Sequence, residues 1–195
     1  IASPIYYSNI IMCFTQDSIT VPISLQVNNA TYKFSNGNVG IQPISFNAKS
    51  GELTGVMGGS GTGKSTLLSI LNGSNEPSTG QVKINGFDLY SEKNLLNGLI
   101  GFVPQDDLLM EDLSVWQNLF YSAKLSFGSL THEAIKQRVY KVLLELGLNE
   151  IRHLKVGSPL DKSISGGQRK RLNIALELIR EPSILYVDEP TSGLS

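Results

Sequence analysis

The chain has 195 residues, 41% of them hydrophobic and 17% charged, with a net charge of −1: room for one domain with a substantial core. So even a balance of charge excludes a bulk electrostatic attraction to nucleic acid or to an anionic membrane surface. A single cysteine, Cys13, excludes an internal disulfide framework and fits a reducing compartment.

Residues 1–22 carry no usable pattern and read as a linker or the tail of a preceding domain. Their longest apolar run, residues 10–14, is far short of a membrane span, and no basic stretch precedes it as in a secretory signal. Opening on Ile and closing on EPTSGLS, the sequence reads as a piece of a longer protein. The pattern sharpens at residue 23: ISLQVNNATYKF alternates through Ile23, Leu25 and Val27 as a strand does, and SNGN follows as a turn.

ELTGVMGGSGTGKSTLLSILNG joins a short apolar strand, 53–57, to a glycine-rich loop and then a helix with Leu67, Leu68, Ile70 and Leu71 on its buried face. Gly58, Gly63, Lys64 and Ser65 carry the pattern G-x-x-x-x-G-K-[ST]. Gly59, Gly61 and Gly63 let backbone N–H groups converge on phosphate oxygens, and the helix N-terminus adds its dipole. Lys64 brings charge to the β- and γ-phosphates, and the Ser65 hydroxyl is placed for Mg²⁺. Read from the residues, this is a nucleoside triphosphate site.

Further on, Asn85 and Gly86 separate two short alternating runs and predict a hairpin. NGLIGFVPQDD predicts a strand halted by Pro104. Gln105 follows at once, either a loop glutamine or a side-chain oxygen for Mg²⁺ or a water. Two amphipathic helices come next, one capped by Ser114 with Val115, Leu119 and Ala123 inward. The other is capped by Thr131, with Ile135, Val139, Val142, Leu143 and Leu146 inward and Gly147 as its stop. His132 and His153 read as surface residues. Strands early, helices in the middle and a strand at the end give an α/β core interrupted by a helical insertion.

In ISGGQRKR, Ser165, Gly166 and Gly167 make a second phosphate-grade helix start. Arg169, Lys170 and Arg171 sit at the positive end of that helix, where a cation costs a few tenths of a kcal/mol. They have three readings: pairing with phosphate across a dimer, pairing with acids of the helical insertion, or a solvated face. EPSILYVDEPTSG ends a buried strand in Asp188, which can hold Mg²⁺ through water, and Glu189, which can orient or deprotonate the attacking water. The bland alternative is an acidic turn. Two anion sites in one domain make sense if the second faces a copy of the first. Two chains head-to-tail then close over two nucleotides.

At this point the sequence resembles the nucleotide-binding domain of the ATP-binding-cassette (ABC) ATPases over roughly residues 23–195. A phosphate loop, a glutamine loop, an SGGQ signature and a D-E pair occur in that order. The resemblance implies an α/β fold of the P-loop NTPase type: an ABC-type core sheet, a small antiparallel β subdomain and a helical subdomain at about 106–163. It makes Gly58, Gly59, Ser60, Gly61, Thr62, Gly63, Lys64, Ser65 and Thr66 the phosphate loop, and Gln105 the glutamine loop. Ser165, Gly166, Gly167 and Gln168 become the signature. Asp188 becomes the metal-side acid, with Ser65 and Gln105 as the other metal-side residues, and Glu189 the catalytic glutamate beside Lys64 and Gln105. Phe34 best matches the adenine-stacking aromatic, Tyr32 is second, and Tyr7 fits poorly.

The wording of GFVPQDDLLMEDLSVWQNLFYSAKL, ISGGQRKRLNIALELI and DEPTSGL is similar to the White-type (G) subfamily of exporters. That implies ATP and Mg²⁺, a second cassette as partner, and contact of the helical insertion with a membrane-spanning domain. The location implied is the cytoplasmic face of a membrane, with no nucleic acid partner. Two departures stand out: Ser195 occupies a place usually Asp, and the switch histidine of the family is not in the chain. They predict that this piece alone binds nucleotide with weak or no turnover. Competing readings are a soluble ABC ATPase acting on nucleic acid, a regulatory ATP-binding module not coupled to transport, and a small-molecule kinase. The neutral charge disfavours the first, the intact Glu189 disfavours the second, and the third leaves ISGGQ unexplained.

Overall fold

The structure, a computed structural model, describes residues 8–14, 22–158 and 163–189, the first of these segments as backbone only. Tyr7, Ser195 and residues 159–162 of the expected insertion lie outside the described residues. The described residues divide into two compact units, the first covering those up to 102 and 182–189, the second Val103–Glu181. The second unit thus takes in the helix that follows SGGQ, a wider span than the 106–163 expected from sequence.

In the first unit, β2 (Ser24–Lys33) and β3 (Val39–Lys49) form a hairpin, and β5 (Thr79–Ile84) and β6 (Phe87–Asp88) add to it in the antiparallel order β3-β2-β5-β6. Ile23, Leu25 and Val27 are all buried, as their alternation requires. Asn85 and Gly86 take φ of 51° and 85° between Ile84 and its antiparallel partner Phe87. Two left-handed residues in succession match the twist of a tight hairpin, which is why Asn-Gly occupies it.

The second sheet of this unit runs β4-β1-β8-β7, from β1 (Ser8–Phe14), β4 (Leu53–Gly58), β7 (Ile100–Val103) and β8 (Ile184–Asp188). β1, in a region where the sequence suggested no element, pairs antiparallel with both β4 and β8. β4 and β8 therefore point the same way, and Gly58 (opposite Ser8) and Asp188 (opposite Ile10) leave the sheet at one edge. Between the sheets' strands in sequence, α1 (Lys64–Leu71) buries Leu67, Leu68, Ile70 and Leu71, each contributing about 1.5–3 kcal/mol by removal from water. β8 is buried from Ile184 through Val187, as expected of a strand covered on both faces.

The second unit is helical: α2 (Val115–Ser126), α3 (His132–Glu145) and α4 (Gly166–Leu178). Ser114 accepts the Gln117 N–H while the Gln117 side chain accepts the Ser114 N–H, a reciprocal cap worth about 1 kcal/mol. Thr131 caps α3 through the Ala134 N–H, and Ile135, Val139, Val142 and Leu143 bury one stripe of it. They pack with Leu119, Leu148, Leu172, Ala175 and Ile179 into one apolar cluster. No described helix is long and apolar enough to cross a membrane.

Candidate functional site

The loop from Gly58 to α1 is shaped by glycine where side chains do not fit. Gly63, at the N-cap of α1, has φ 92°, and a Cβ there would lie 2.4 Å from the Gly40 carbonyl oxygen. A Cβ on Gly58 would lie 2.8 Å from Thr62 Oγ1. Thr62 Oγ1 donates to Gly59 O at 2.9 Å, and the Lys64 ammonium donates to Gly58 O at 2.8 Å and Gly59 O at 2.6 Å. No side chain caps α1, so the amides of its first turn are turned to the loop, the arrangement that suits a phosphate. Ser65 is exposed on that same turn.

A cleft of about 610 Å³ opens along the loop, lined by Gly61, Thr62 and Lys64 together with Val39, Gln42 and Pro43. Phe34 is 44% exposed at the end of β2, its ring edge-on to Tyr32 at 5.3 Å. Gly40 joins this aromatic pair to the loop. A Cβ on it would lie 2.8 Å from the Phe34 ring, and its carbonyl oxygen is the one facing Gly63. No sequence motif marks Gly40, because its role is to be thin at a contact between distant segments.

Asp188 ends β8, and Glu189 turns out of the strand with φ 45°. A left-handed conformation at a non-glycine residue costs about 1–3 kcal/mol and redirects the side chain from the strand's alternation. Tyr186 is wholly buried two residues earlier, and burial pushes its phenol well above the usual range. Ser65, Asp188 and Glu189 thus belong to the first unit, together with the loop. Gln105, exposed immediately after β7, belongs to the second. Among the described residues no cluster of His, Cys, Asp and Glu could hold a metal by itself. The donors of the first unit, the Ser65 hydroxyl and the Asp188 carboxylate, are both oxygen, the chemistry Mg²⁺ prefers. The glycine cradle, the uncapped helix and this donor set fit a Mg-nucleotide.

In the second unit, Ser165 starts α4 and its hydroxyl accepts the Gln168 N–H at 3.2 Å, while Gln168 Oε1 accepts the Ser165 N–H at 2.7 Å. The Ser165 hydroxyl thus caps its own helix, as the sequence predicts. Of the cations that follow, only Arg171 is exposed. Arg169 is 5% exposed and Lys170 8% exposed, and Arg169 makes a two-pronged ion pair with Asp107. Arg171 donates to Leu146 O at 3.1 Å. Of the three readings left open by sequence, pairing with an acid of the insertion is the one Arg169 follows. Asp107 itself carried no sequence signal. His132 and His153 are both exposed, His132 lying edge-on to Phe120.

A glycine-cradled loop between strand and helix, with an acid pair leaving a strand at the same sheet edge, defines a P-loop NTPase of the α/β class. The sequence model of the ABC transporter family matches residues 41–192, and the chain belongs to that family. It is 45% identical over 147 residues to an ABC-type transporter, claG, of Penicillium crustosum, covering 75% of this chain and 20% of the relative. It is 40% identical over 201 aligned positions to ABC transporter G family member 23 of Arabidopsis thaliana, covering 98% of this chain and 32% of the relative. Against the broad substrate specificity transporter ABCG2 of Bos taurus it is 42% identical over 145 residues, 73% of this chain and 22% of the relative. The chain spans no more than about a third of the length of these relatives.

Proposed function

We propose that this chain is the ATP-binding and ATP-hydrolysing engine of a G-type ABC exporter. In this reading it works as a head-to-tail dimer with a second cassette, at the cytoplasmic face of a membrane and joined to a membrane-spanning domain. The observation that carries the reading is the shared sheet edge: Gly58 and Asp188 end parallel strands beside one another's register. The phosphate loop and the acid pair thereby serve one substrate. The antiparallel sheet and the helical unit correspond in this reading to the β and helical subdomains of an ABC cassette.

The phosphate oxygens of ATP lie on the amides of residues 58–66, and Lys64 leaves the Gly58 and Gly59 carbonyls to meet the β- and γ-phosphates. Phe34 stacks on adenine. Ser65, Asp188 and Gln105 would hold Mg²⁺, which would neutralise charge on the γ-phosphoryl group. Glu189 orients a water and takes its proton as the water oxygen bonds to the γ-phosphorus. The bond from that phosphorus to the bridging oxygen breaks, leaving ADP and phosphate. Ser165, Gly166, Gly167 and Gln168 present a helix start to the γ-phosphate held by the partner cassette.

The test uses the full-length protein carrying Glu189→Gln, weighed by sedimentation with and without Mg-ATP. A monomeric cassette that dimerises only with ATP, and then holds it unhydrolysed, is the expected result. Unchanged turnover in Glu189→Gln removes the catalytic role of Glu189. ATP binding without any change in association, or dependence on a membrane-spanning partner, moves the chain to a regulatory ATP-binding module.

A further inference from the structure

Helix α4 begins in SGGQ, and its next turn grips the segment on either side of Gln105. Arg169 Nε donates to Asp107 Oδ2 at 2.8 Å and Nη2 to Oδ1 at 3.1 Å. Its remaining nitrogen, Nη1, donates to Gly157 O at 2.6 Å and Val156 O at 3.3 Å. Lys170 Nζ lies 3.4 Å from Pro104 O, and Asn173 Nδ2 lies 3.5 Å from that same oxygen. Pro104 immediately precedes Gln105 and Asp107 follows it by two.

We propose that Arg169 is a positioning residue for Gln105: through its fork on Asp107 it fixes the glutamine loop to the helix that carries SGGQ. Loop and signature then move as one piece. The proposal rests on the role given to Gln105 above. A fork of two parallel N–H···O bonds fixes direction as well as distance, which a point charge does not. The pair is buried on its Arg169 side only, the Asp107 side chain being 29% exposed, and a partly exposed ion pair contributes little net stability, so what this pair adds is placement. An exposed four-residue loop gripped at both ends has few conformations left to sample. A displacement of Gln105 is thereby transmitted to the start of α4, and the reverse. Arg169 touches neither substrate nor metal in this scheme; it acts through Gln105.

The experiment is a double-mutant cycle on ATP hydrolysis in the full-length protein: Gln105→Ala, Asp107→Asn and the pair together. Asp107→Asn keeps the shape and removes the charge. It is expected to lower kcat about tenfold or more, the scale of a misplaced catalytic group, with KM for ATP nearly unchanged. Added to Gln105→Ala, it is expected to lower kcat less than about twofold further, because its effect runs through the glutamine. Losses that multiply overturn the proposal, as does a raised KM at constant kcat. Wild-type turnover in Gln105→Ala removes the role of Gln105 and the proposal with it, a result distinct from multiplying losses. Arg169→Lys, which keeps the buried charge and gives up the fork, is read in the same cycle. It serves in place of Asp107→Asn if that variant does not fold, and equal kcat to wild type overturns the proposal.

Discussion

Replacing Asn118 by leucine tests how the segment after the glutamine loop is held. Asn118 is 5% exposed near the start of α2, yet its amide is fully used. Oδ1 accepts the Met110 N–H at 2.9 Å, and Nδ2 donates to Met110 O at 3.1 Å and Ser114 O at 3.0 Å. Leucine has nearly the same volume and removes all three bonds. Ser114 O keeps the Asn118 N–H at 2.9 Å and Met110 O keeps the Leu113 N–H at 3.2 Å, so the Met110 N–H alone is stranded. One stranded donor costs about 2 kcal/mol and two lost bonds about 1 kcal/mol each. Burying leucine in place of the amide returns about 2 kcal/mol. The net destabilisation is about 2 kcal/mol, or roughly 10 °C for a unit of this size. Trp116, the single tryptophan of the chain and two residues from Asn118, stacks on Phe120 at 4.5 Å. Its fluorescence therefore follows urea unfolding of this unit. A midpoint equal to or above wild type at the same urea slope refutes the reasoning, because the amide would then be dispensable.

Gly63→Ala places a Cβ 2.4 Å from the Gly40 oxygen at φ 92°. Titration calorimetry should show a loss of ATP affinity of about five- to 150-fold, the range that about 1–3 kcal/mol of backbone strain produces. Wild-type affinity would mean that α1 can shift freely. Asp88 gives the expected dependence on pH. The Ser91 N–H, with those of Tyr90 and the Ser91 hydroxyl, holds its carboxyl below the ordinary 3.8. A lowered folded pKa contributes stability that is complete above the unfolded value and lost as pH falls through the folded one. Asp88→Asn should therefore flatten the decline in melting temperature below about pH 4 and leave its shape at neutral pH unchanged.

What the sequence made legible was local. Ser114 and Thr131 announced helix starts because caps act within three residues. Asn85-Gly86 announced a hairpin because two left-handed residues in succession fit little else. The phosphate loop was legible because glycine spacing, lysine and hydroxyl each have one mechanical reason to be there. The strand Ser8–Phe14 was not, because a short apolar run without alternation has no period to read and both of its partners are distant in sequence. The anion that answers Arg169 escaped for the same reason: Asp107 lies 62 positions away. A cation at a helix start looked like a cost in search of a phosphate, when the negative charge was already in the chain.

Lys64 has a second occupation that its place in the loop makes plain. By resting on the Gly58 and Gly59 carbonyls, its ammonium acts as a keystone, holding an arch of glycines whose backbone is otherwise free to take many conformations. Such an arch need not be assembled by whatever enters it. An incoming phosphate exchanges one set of strong polar contacts for another, so the heat of binding is smaller than a count of the final contacts suggests. Removing the lysine takes away a ligand contact and the scaffolding together.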